Sequence, residues 1–318
     1  MTSARAHAGE PTQARFANTW LRYFAATRPA FLSATLVACL LGVASAFHAG
    51  IAPDLSLAGM TLLLALLLHA AVNVLNDYYD ALNGSDDANT ERLFPFTGGS
   101  RFIQNGVLTR NQTARYGYFL LATAMLGGLW LAGQTGAGLL AIGAAGIFIG
   151  WTYSATPLKL NSRGLGEVCV LAGFLGIVVG ADFVQRQAFS LQPLLLGLPY
   201  ALLATNLLYI NQFPDRRADA DAGKRHWVVR LPLARAALVY PALATLALLW
   251  LAALAASGAL PLPAMLAALP LALSFRAGAI LRRNADAPSR LLPAIRLTIA
   301  AMLAHGILLA VFLFWNPA

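Results

Sequence analysis

The chain has 318 residues, of which 58% are hydrophobic and only 11% are charged. A soluble domain carries roughly 25% charged residues, so this chain lacks the polar side chains needed to cover a water-facing surface. The composition excludes a soluble protein of one or two domains and predicts a membrane protein. The net charge is +9. In a membrane protein such an excess is the usual bias of Lys and Arg toward cytoplasmic loops, so we expect no nucleic-acid partner.

Nine apolar runs are long enough, at about 20 residues each, to cross a bilayer. They predict an all-α, polytopic membrane bundle of about nine transmembrane helices. The bundle forms a single domain over residues 28–318, after a cytoplasmic tail at 1–27. A leader of about 30 residues is long for a secretory signal, which favours a retained first helix over a cleaved one. The predicted spans are 29–48, 56–80, 114–133, 137–154, 165–185, 191–212, 234–256, 261–281 and 292–315.

The cations are distributed very unevenly between the two sides of these spans. Of the 22 Lys and Arg residues, 21 fall in the tail or in the loops around the even-to-odd turns, and only Arg186 falls on the other side. The positive-inside bias therefore predicts that the tail and these loops are cytoplasmic and that the C-terminus lies outside, in a bacterial-type inner membrane. One missed span would scramble this distribution, so it also supports the count.

Eight of the 13 acids follow the second and sixth spans. This predicts two four-helix halves, each with an acidic cluster at the same point, and a ninth helix after them. Asn76 and Asp80 are four residues apart and share a helix face, as do Asp215 and Asp219. Carboxylates this close repel each other unless a positive charge lies between them. Oxygen ligands from two helices, with room for water and phosphate, suit Mg²⁺.

Basic residues stand beside both acidic clusters and are suited to hold phosphate oxygens. The combined pattern predicts a Mg²⁺–diphosphate site at the mouth of a membrane cavity. The alternative is a pair of ordinary solvated loops at the membrane edge, and the two matching acidic pairs favour the metal site. The flanking cations are Arg92, Arg101, Lys159, Arg163, Lys224 and Arg225.

These segments resemble the UbiA superfamily of intramembrane prenyltransferases. The first is similar to the pattern N-D-Y-x-D-x-x-x-G-x-D, and the second, which begins at Asn211, to N-x-F-P-D-x-x-x-D-x-x-x-G-K-R. Residues 95–101 are similar to P-F-[ST]-G-G-S-R, and residues 153–167 to Y-[ST]-x-x-P-L-K-x-x-x-R-G-L-G-E. The match is closest to the MenA-like branch, which prenylates 1,4-dihydroxy-2-naphthoate in menaquinone synthesis. Gly84 stands where the ubiquinone branch usually has an acid, and His226 and Trp227 depart from the T-L that the MenA-like branch usually carries.

The resemblance implies transfer of a polyprenyl group from polyprenyl diphosphate to an aromatic acceptor in the membrane. It implies Mg²⁺ as the cofactor, with Mn²⁺ as a substitute, held by Asn76, Asp80, Asp215 and Asp219. The six flanking cations would bind the diphosphate. Asp77 and Asp86 are candidates for the proton acceptor or for orienting residues. Tyr153 is the candidate for a hydrogen bond to the diphosphate or for facing the carbocation.

Two other functions compete with this interpretation. The first is a UbiA-type transferase with a different acceptor, such as another quinol, a phenol or a lipid precursor. The second is a polytopic transporter, which should keep its ionisable groups near the bilayer midplane. Because the acids of this chain collect at one predicted membrane edge, the sequence favours the enzyme.

Overall fold

The computed structural model describes residues 9–315, so residues 1–8 of the predicted tail and residues 316–318 lie outside the described part. Nine long helices form a bundle in this part of the chain, and it contains no β-strand. The helices are α1 Pro29–His48, α2 Leu55–Asn83, α3 Arg110–Thr135, α4 Gly138–Ser154, α5 Gly166–Arg186, α6 Gln192–Asp221, α7 Leu233–Ala256, α8 Leu271–Asn284 and α9 Leu292–Trp315.

The predicted all-α membrane bundle is confirmed. Eight helical segments are long and apolar enough to cross a membrane, and one of them joins α8 to the preceding 3₁₀ turns as Leu262–Asn284. The ninth helix, α4, has 17 residues, the lower limit of the length that spans a bilayer.

The helix ends follow from local sequence. At the start of α2, the Asp54 side chain accepts hydrogen bonds from the backbone N–H groups of Ser56 and Leu57, which satisfies donors that the first turn leaves unpaired. Gly84 ends the same helix with a φ of 81°, a left-handed conformation that costs glycine little. The helix therefore ends in a sharp turn at Gly84, which redirects the chain beside the acids.

Two helices run further than their apolar residues indicate. The sixth predicted span ends at 212, but α6 continues through Pro214 to Asp221, so Pro214 does not start a new helix. Proline removes one backbone donor from the helix. Phe213 and Ala218 are nevertheless buried on either side of it, and their packing offsets that loss. The α2 helix likewise extends past residue 80 to Asn83.

Helix α6 is the most deeply buried of the candidate spans, and it packs against α1, α5, α7 and α9. Its Tyr200 hydroxyl donates to the Ala34 carbonyl of α1 over 2.7 Å. Small residues allow close approach elsewhere. A Cβ added at Gly42 of α1 would lie 2.3 Å from the Val178 carbonyl oxygen of α5. This packing holds α1, α5 and α6 closely together at the centre of the bundle.

The loops that carry the predicted site meet at one end of the bundle. The Arg225 N–H after α6 donates to the Ser162 carbonyl after α4 over 2.7 Å, and Arg217 of α6 pairs with Glu91 after α2 at 2.9 Å. The described part of the predicted tail reaches this end too, and it includes a short helix, Thr19–Ala26. These loops therefore lie at the same end of the bundle.

Candidate active site

A cavity of about 1390 Å³ opens at the end of the bundle where α2 and α6 finish. Its walls are mostly apolar and come mainly from α2 to α6, with smaller contributions from α1 and α9. Its polar end is formed by residues that the sequence analysis singled out, together with a few that it did not. The predicted residues that line the cavity are Asn76, Asp80, Asp86, Tyr153, Asp215, Asp219 and Lys224.

Lys224 joins the acidic ends of α2 and α6. Its ammonium nitrogen lies 3.1 Å from Asp80 Oδ1 and 3.0 Å from Asp219 Oδ1, and all three side chains are nearly inaccessible to water. Burial lowers the pKa of Lys224, but the carboxylates of Asp80, Asp219 and Asp86 raise that pKa by more. The lysine is therefore charged, and it supplies the positive charge that the paired carboxylates require.

Each acidic pair is oriented by neighbouring polar groups. Asn76 donates its amide to Asp80 Oδ2 over 3.1 Å and to the Ser154 hydroxyl over 2.8 Å, which leaves its amide oxygen for a cation. His226, which follows α6, has its Nε2 atom 3.1 Å from Oδ2 of Asp219 on α6. The histidine that departs from the family pattern thus contacts a predicted metal ligand.

The loop at 95–101 lies directly over the carboxylates. The Ser100 N–H donates to Asp77 Oδ1 over 3.1 Å, and the Gly98 N–H donates to Asp215 Oδ2 over 3.3 Å. Gly99 has a φ of 73°, and a Cβ there would lie 2.2 Å from Asp86 Oδ2. Only glycine fits at this position, so the loop can approach both acidic segments.

Asp86 carries the clearest sign of a missing positive partner. Its Oδ2 atom is buried and has no hydrogen-bond partner within residues 9–315. Burial, followed by the nearby carboxylates of Asp80 and Asp77, raises the pKa of Asp86 well above its usual value. A buried carboxylate oxygen without a partner is costly, and a hard cation at the polar end of the cavity would satisfy it.

The arrangement fits Mg²⁺ better than a metal held by protein alone. No three His, Cys, Asp or Glu side chains of the described chain converge on one point closely enough to chelate an ion. Mg²⁺ is usually held by one or two carboxylates, with water and substrate phosphates completing its shell. Asn76, Asp80, Asp215 and Asp219 offer oxygen atoms of this kind at the cavity, and their binding of Mg²⁺ remains a prediction.

The predicted diphosphate cations fall into two groups. Lys224 lines the cavity, and the other five do not. Arg92 is buried against Glu10 at 2.6 Å, and Arg101 donates to the backbone carbonyl of Asp86. Lys159 and Arg163 lie in the turn after α4, and Arg225 is exposed. Diphosphate binding by these five side chains remains a prediction.

Several polar residues at the cavity were missed by the sequence analysis. Arg28 was assigned only to topology, yet it lines the cavity, and its Nε is buried without a hydrogen-bond partner in the described structure. Its guanidinium lies over the Phe31 ring, 4.6 Å from the centroid. Asn89 donates to Asp215 Oδ1 over 2.5 Å. The one indication in the sequence that Arg28 lies at the cavity is its charge directly before an apolar span. The sequence contains no such indication for Asn89.

Comparison with known proteins identifies the family. The model of the UbiA prenyltransferase family matches residues 35–302. The chain belongs to the UbiA prenyltransferase family. It is therefore an integral membrane prenyltransferase, and the transporter alternative is set aside.

Similar proteins include two named 1,4-dihydroxy-2-naphthoate octaprenyltransferases. The Mycobacterium tuberculosis protein is 30% identical over 263 residues, which are 79% of this chain and 82% of the relative. The Bacillus subtilis protein is 28% identical over 242 residues, which are 73% of each chain. A solved UbiA homologue from Archaeoglobus fulgidus, bound to DMAPP and Mg²⁺, matches with a TM-score of 0.63 at 18% identity. That match covers 91% of this chain and 99% of the homologue.

Proposed function

We propose that this enzyme transfers a polyprenyl group from polyprenyl diphosphate to 1,4-dihydroxy-2-naphthoate, with Mg²⁺ as cofactor, in menaquinone biosynthesis. One observation carries the proposal: the acidic ends of α2 and α6 face each other through Lys224 at the mouth of a large apolar cavity. The names of the Mycobacterium tuberculosis and Bacillus subtilis relatives support the naphthoate acceptor. The Mg²⁺ bound to the Archaeoglobus fulgidus homologue supports the cofactor.

The polar end of the cavity suits the diphosphate. Asn76, Asp80, Asp215 and Asp219 would hold Mg²⁺, which supplies positive charge against a leaving diphosphate when it is bound. Lys224 is the protein's own cation at this position, and charge fixed in advance by the fold costs no reorganisation during the reaction. The loop at 95–101 covers the acids and limits access of water to them.

The apolar walls suit the rest of the donor. Side chains such as Leu68 and Val72 of α2 and Ile147 of α4 line the cavity below its polar end. An isoprenoid tail gains free energy by leaving water for such a surface. The donor would therefore lie with its diphosphate at the acids and its tail along the helices.

Arg28 favours an acceptor that carries a carboxylate. Its side chain lines the cavity together with His69 and Asn73, and its Nε lacks a hydrogen-bond partner in the described chain. A guanidinium binds a carboxylate through paired, charge-assisted hydrogen bonds. This arrangement supports a naphthoate over a quinol or phenol without an acidic group.

The proposed reaction balances as follows. The bond between C1 of the prenyl group and its oxygen breaks, and diphosphate leaves with the electron pair. A ring carbon of the acceptor forms the new bond to C1. The same ring carbon then loses its original substituent, either a hydrogen as a proton or the carboxylate as CO₂. The electron pair of the broken bond restores the aromatic ring. Asp77 and Asp86 are the proposed proton acceptors or orienting groups, and Tyr153 lines the cavity where the cation would form.

A panel of acceptors tests the acceptor assignment. Purified enzyme with Mg²⁺ and one labelled polyprenyl diphosphate should prenylate 1,4-dihydroxy-2-naphthoate in preference to 4-hydroxybenzoate. 1,4-Dihydroxynaphthalene, which lacks only the carboxylate, serves as the matched control and should react with a higher KM. Equal kcat/KM for the two naphthalenes would show that the enzyme does not recognise the carboxylate, and the role proposed for Arg28 would be wrong. Preference for 4-hydroxybenzoate would identify a UbiA-type transferase with another acceptor.

The cation distribution supports a further part of the proposal. With 21 of 22 Lys and Arg residues assigned to one side, the N-terminus and the site would face the cytoplasm and the C-terminus would lie outside. A reporter that is active only outside the cytoplasm should be active when it is fused to the C-terminus. A reporter that is active only in the cytoplasm should be inactive at the same position. The opposite result would invert the orientation.

A further inference from the structure

Residues 9–16 lie against the loop that follows α2. Glu10 accepts hydrogen bonds from Arg92 Nε over 2.6 Å and from Asn105 Nδ2 over 3.1 Å. Gln13 donates to the Gly106 carbonyl over 2.9 Å. The segment therefore contacts both ends of the loop 89–106, although it precedes residue 35, where the family match begins.

The ion pair at the centre of this contact is buried. The side chains of Arg92 and Glu10 are 4% and 0% exposed. Removing one partner of a buried ion pair leaves an uncompensated charge out of water, which is strongly destabilising. Glu10 is therefore the counter-charge of the buried Arg92, because none of the other described acids pairs with this arginine.

Arg92 connects this pair to the acids of α6. It donates to the Asn89 carbonyl over 2.5 Å, and the Asn89 side chain donates to Asp215 Oδ1 over 2.5 Å. The other oxygen of Asp215 accepts from the Gly98 N–H. Gly98 itself packs on Arg92, since a Cβ there would lie 2.7 Å from Arg92 Cβ. Both oxygens of Asp215 are thus held by loop residues that contact Arg92.

We infer that residues 9–16 are a latch that fixes the loop 89–106 over the acids, and that Glu10 positions Asp215 through Arg92 and Asn89. This gives Arg92 a partner inside the protein, in place of the diphosphate contact that its sequence position predicts. The inference rests on the proposed function only in treating Asp215 as a Mg²⁺ ligand; the latch itself is a statement about the loop.

The variants Glu10→Gln and Glu10→Ala test the latch. Glu91→Gln is the matched control, because Glu91 is adjacent to Arg92 in sequence but forms a surface pair with Arg217. In hydrogen–deuterium exchange of the full chain in detergent, residues 89–106 should exchange at least tenfold faster in both Glu10 variants. Exchange in the nine long helices of both Glu10 variants should match the wild type. The Glu91→Gln variant should exchange like the wild type at residues 89–106 too. Unchanged exchange at 89–106 in both Glu10 variants would overturn the latch.

Mn²⁺ binding tests the connection to Asp215. Electron paramagnetic resonance would follow Mn²⁺ binding in the presence of farnesyl thiodiphosphate, a donor analogue that resists ionisation. Loss of a group that orients a metal ligand typically weakens metal binding by about 10- to 100-fold, and we expect the lower end for Glu10→Gln. If Glu10 acts through Arg92, then Glu10→Gln should weaken binding little further in an Arg92→Gln background.

The possible failures are distinguishable. If the wild type binds no Mn²⁺, the metal part of the proposed function fails, and the exchange experiment still decides the latch. If the wild type binds Mn²⁺ and Glu10→Gln binds it equally well, the positioning role is wrong. Additive losses for Glu10→Gln and Arg92→Gln would also exclude the route through Arg92.

Discussion

The ammonium nitrogen of Lys224, which follows α6, lies 3.1 Å from a carboxylate oxygen of Asp80 at the end of α2. The two residues are 144 positions apart in the sequence, and their contact joins the two halves of the bundle at the cavity mouth. In the proposed reaction this lysine must face both the acids that hold Mg²⁺ and the diphosphate. Its position between them makes it the first residue to test.

Lys224→Ala should raise the KM for polyprenyl diphosphate roughly ten- to a hundredfold, since a hydrogen bond to a charged group contributes about 1.5–3 kcal/mol. The KM for the acceptor should change much less. Arg235→Ala is the control, because Arg235 is an exposed cation after the same span. Steady-state kinetics with each substrate varied in turn would measure both effects. An unaltered donor KM and kcat would show that Lys224 serves only topology, and would leave Lys159 and Arg163 as the candidates.

Asp80→Asn and Asp219→Asn should each nearly abolish prenyl transfer while the protein remains folded. Each substitution removes a hard anionic ligand from a site that must hold Mg²⁺ beside a diphosphate. Asp221→Asn is the matched control, since Asp221 is exposed two residues beyond Asp219 on the same helix. Turnover of purified variants at saturating Mg²⁺, alongside thermal unfolding, would check this. Near-normal turnover in either variant would remove that residue from the metal site.

Excess chelator should abolish activity, and Mg²⁺ or Mn²⁺ should restore it. Both acidic segments offer oxygen ligands of the kind these ions prefer. The measurement is product formation during titration with EDTA, followed by titration with each metal. Full activity in excess EDTA would exclude the proposed mechanism.

Gly99→Ala should reduce turnover by more than tenfold. The substitution places a methyl group 2.2 Å from Asp86 Oδ2, in a left-handed conformation that costs a residue with a Cβ about 1–2 kcal/mol. Gly133→Ala is the control, because a Cβ there meets no atom within 4 Å and alanine favours a helix. Normal turnover in Gly99→Ala would mean that the loop does not need to approach Asp86.

Sequence reasoning predicted much of the fold because the bilayer restricts what a chain can do. Apolar runs of spanning length must be helices, and the cations order those helices by side. The ends of helices were less predictable. The sixth predicted span ends at residue 212, and a proline at 214 can bend a helix or start another, but α6 continues to Asp221 with Phe213 and Ala218 buried on either side of the proline. That extension carries Asp215 and Asp219 on one helix face.

The candidate site was predictable where its residues belong to regular patterns. The spacing of Asn76 and Asp80 placed them on one face, and their hydrogen bond agrees with that. The contacts of Glu10, Asn89 and Arg28 were not predictable, because each depends on a loop path or on packing between segments distant in sequence. Nothing in the local sequence indicates that Asn89 contacts Asp215, 126 residues away.

The most direct test of the account is product formation by the purified enzyme reconstituted in liposomes. With Mg²⁺, labelled polyprenyl diphosphate and 1,4-dihydroxy-2-naphthoate, we expect a prenylated naphthalene product identified by mass, with one diphosphate released per product. The same preparation of Asp80→Asn should yield almost none. Release of diphosphate without a prenylated product, or no reaction with any aromatic acceptor, would contradict the proposed function.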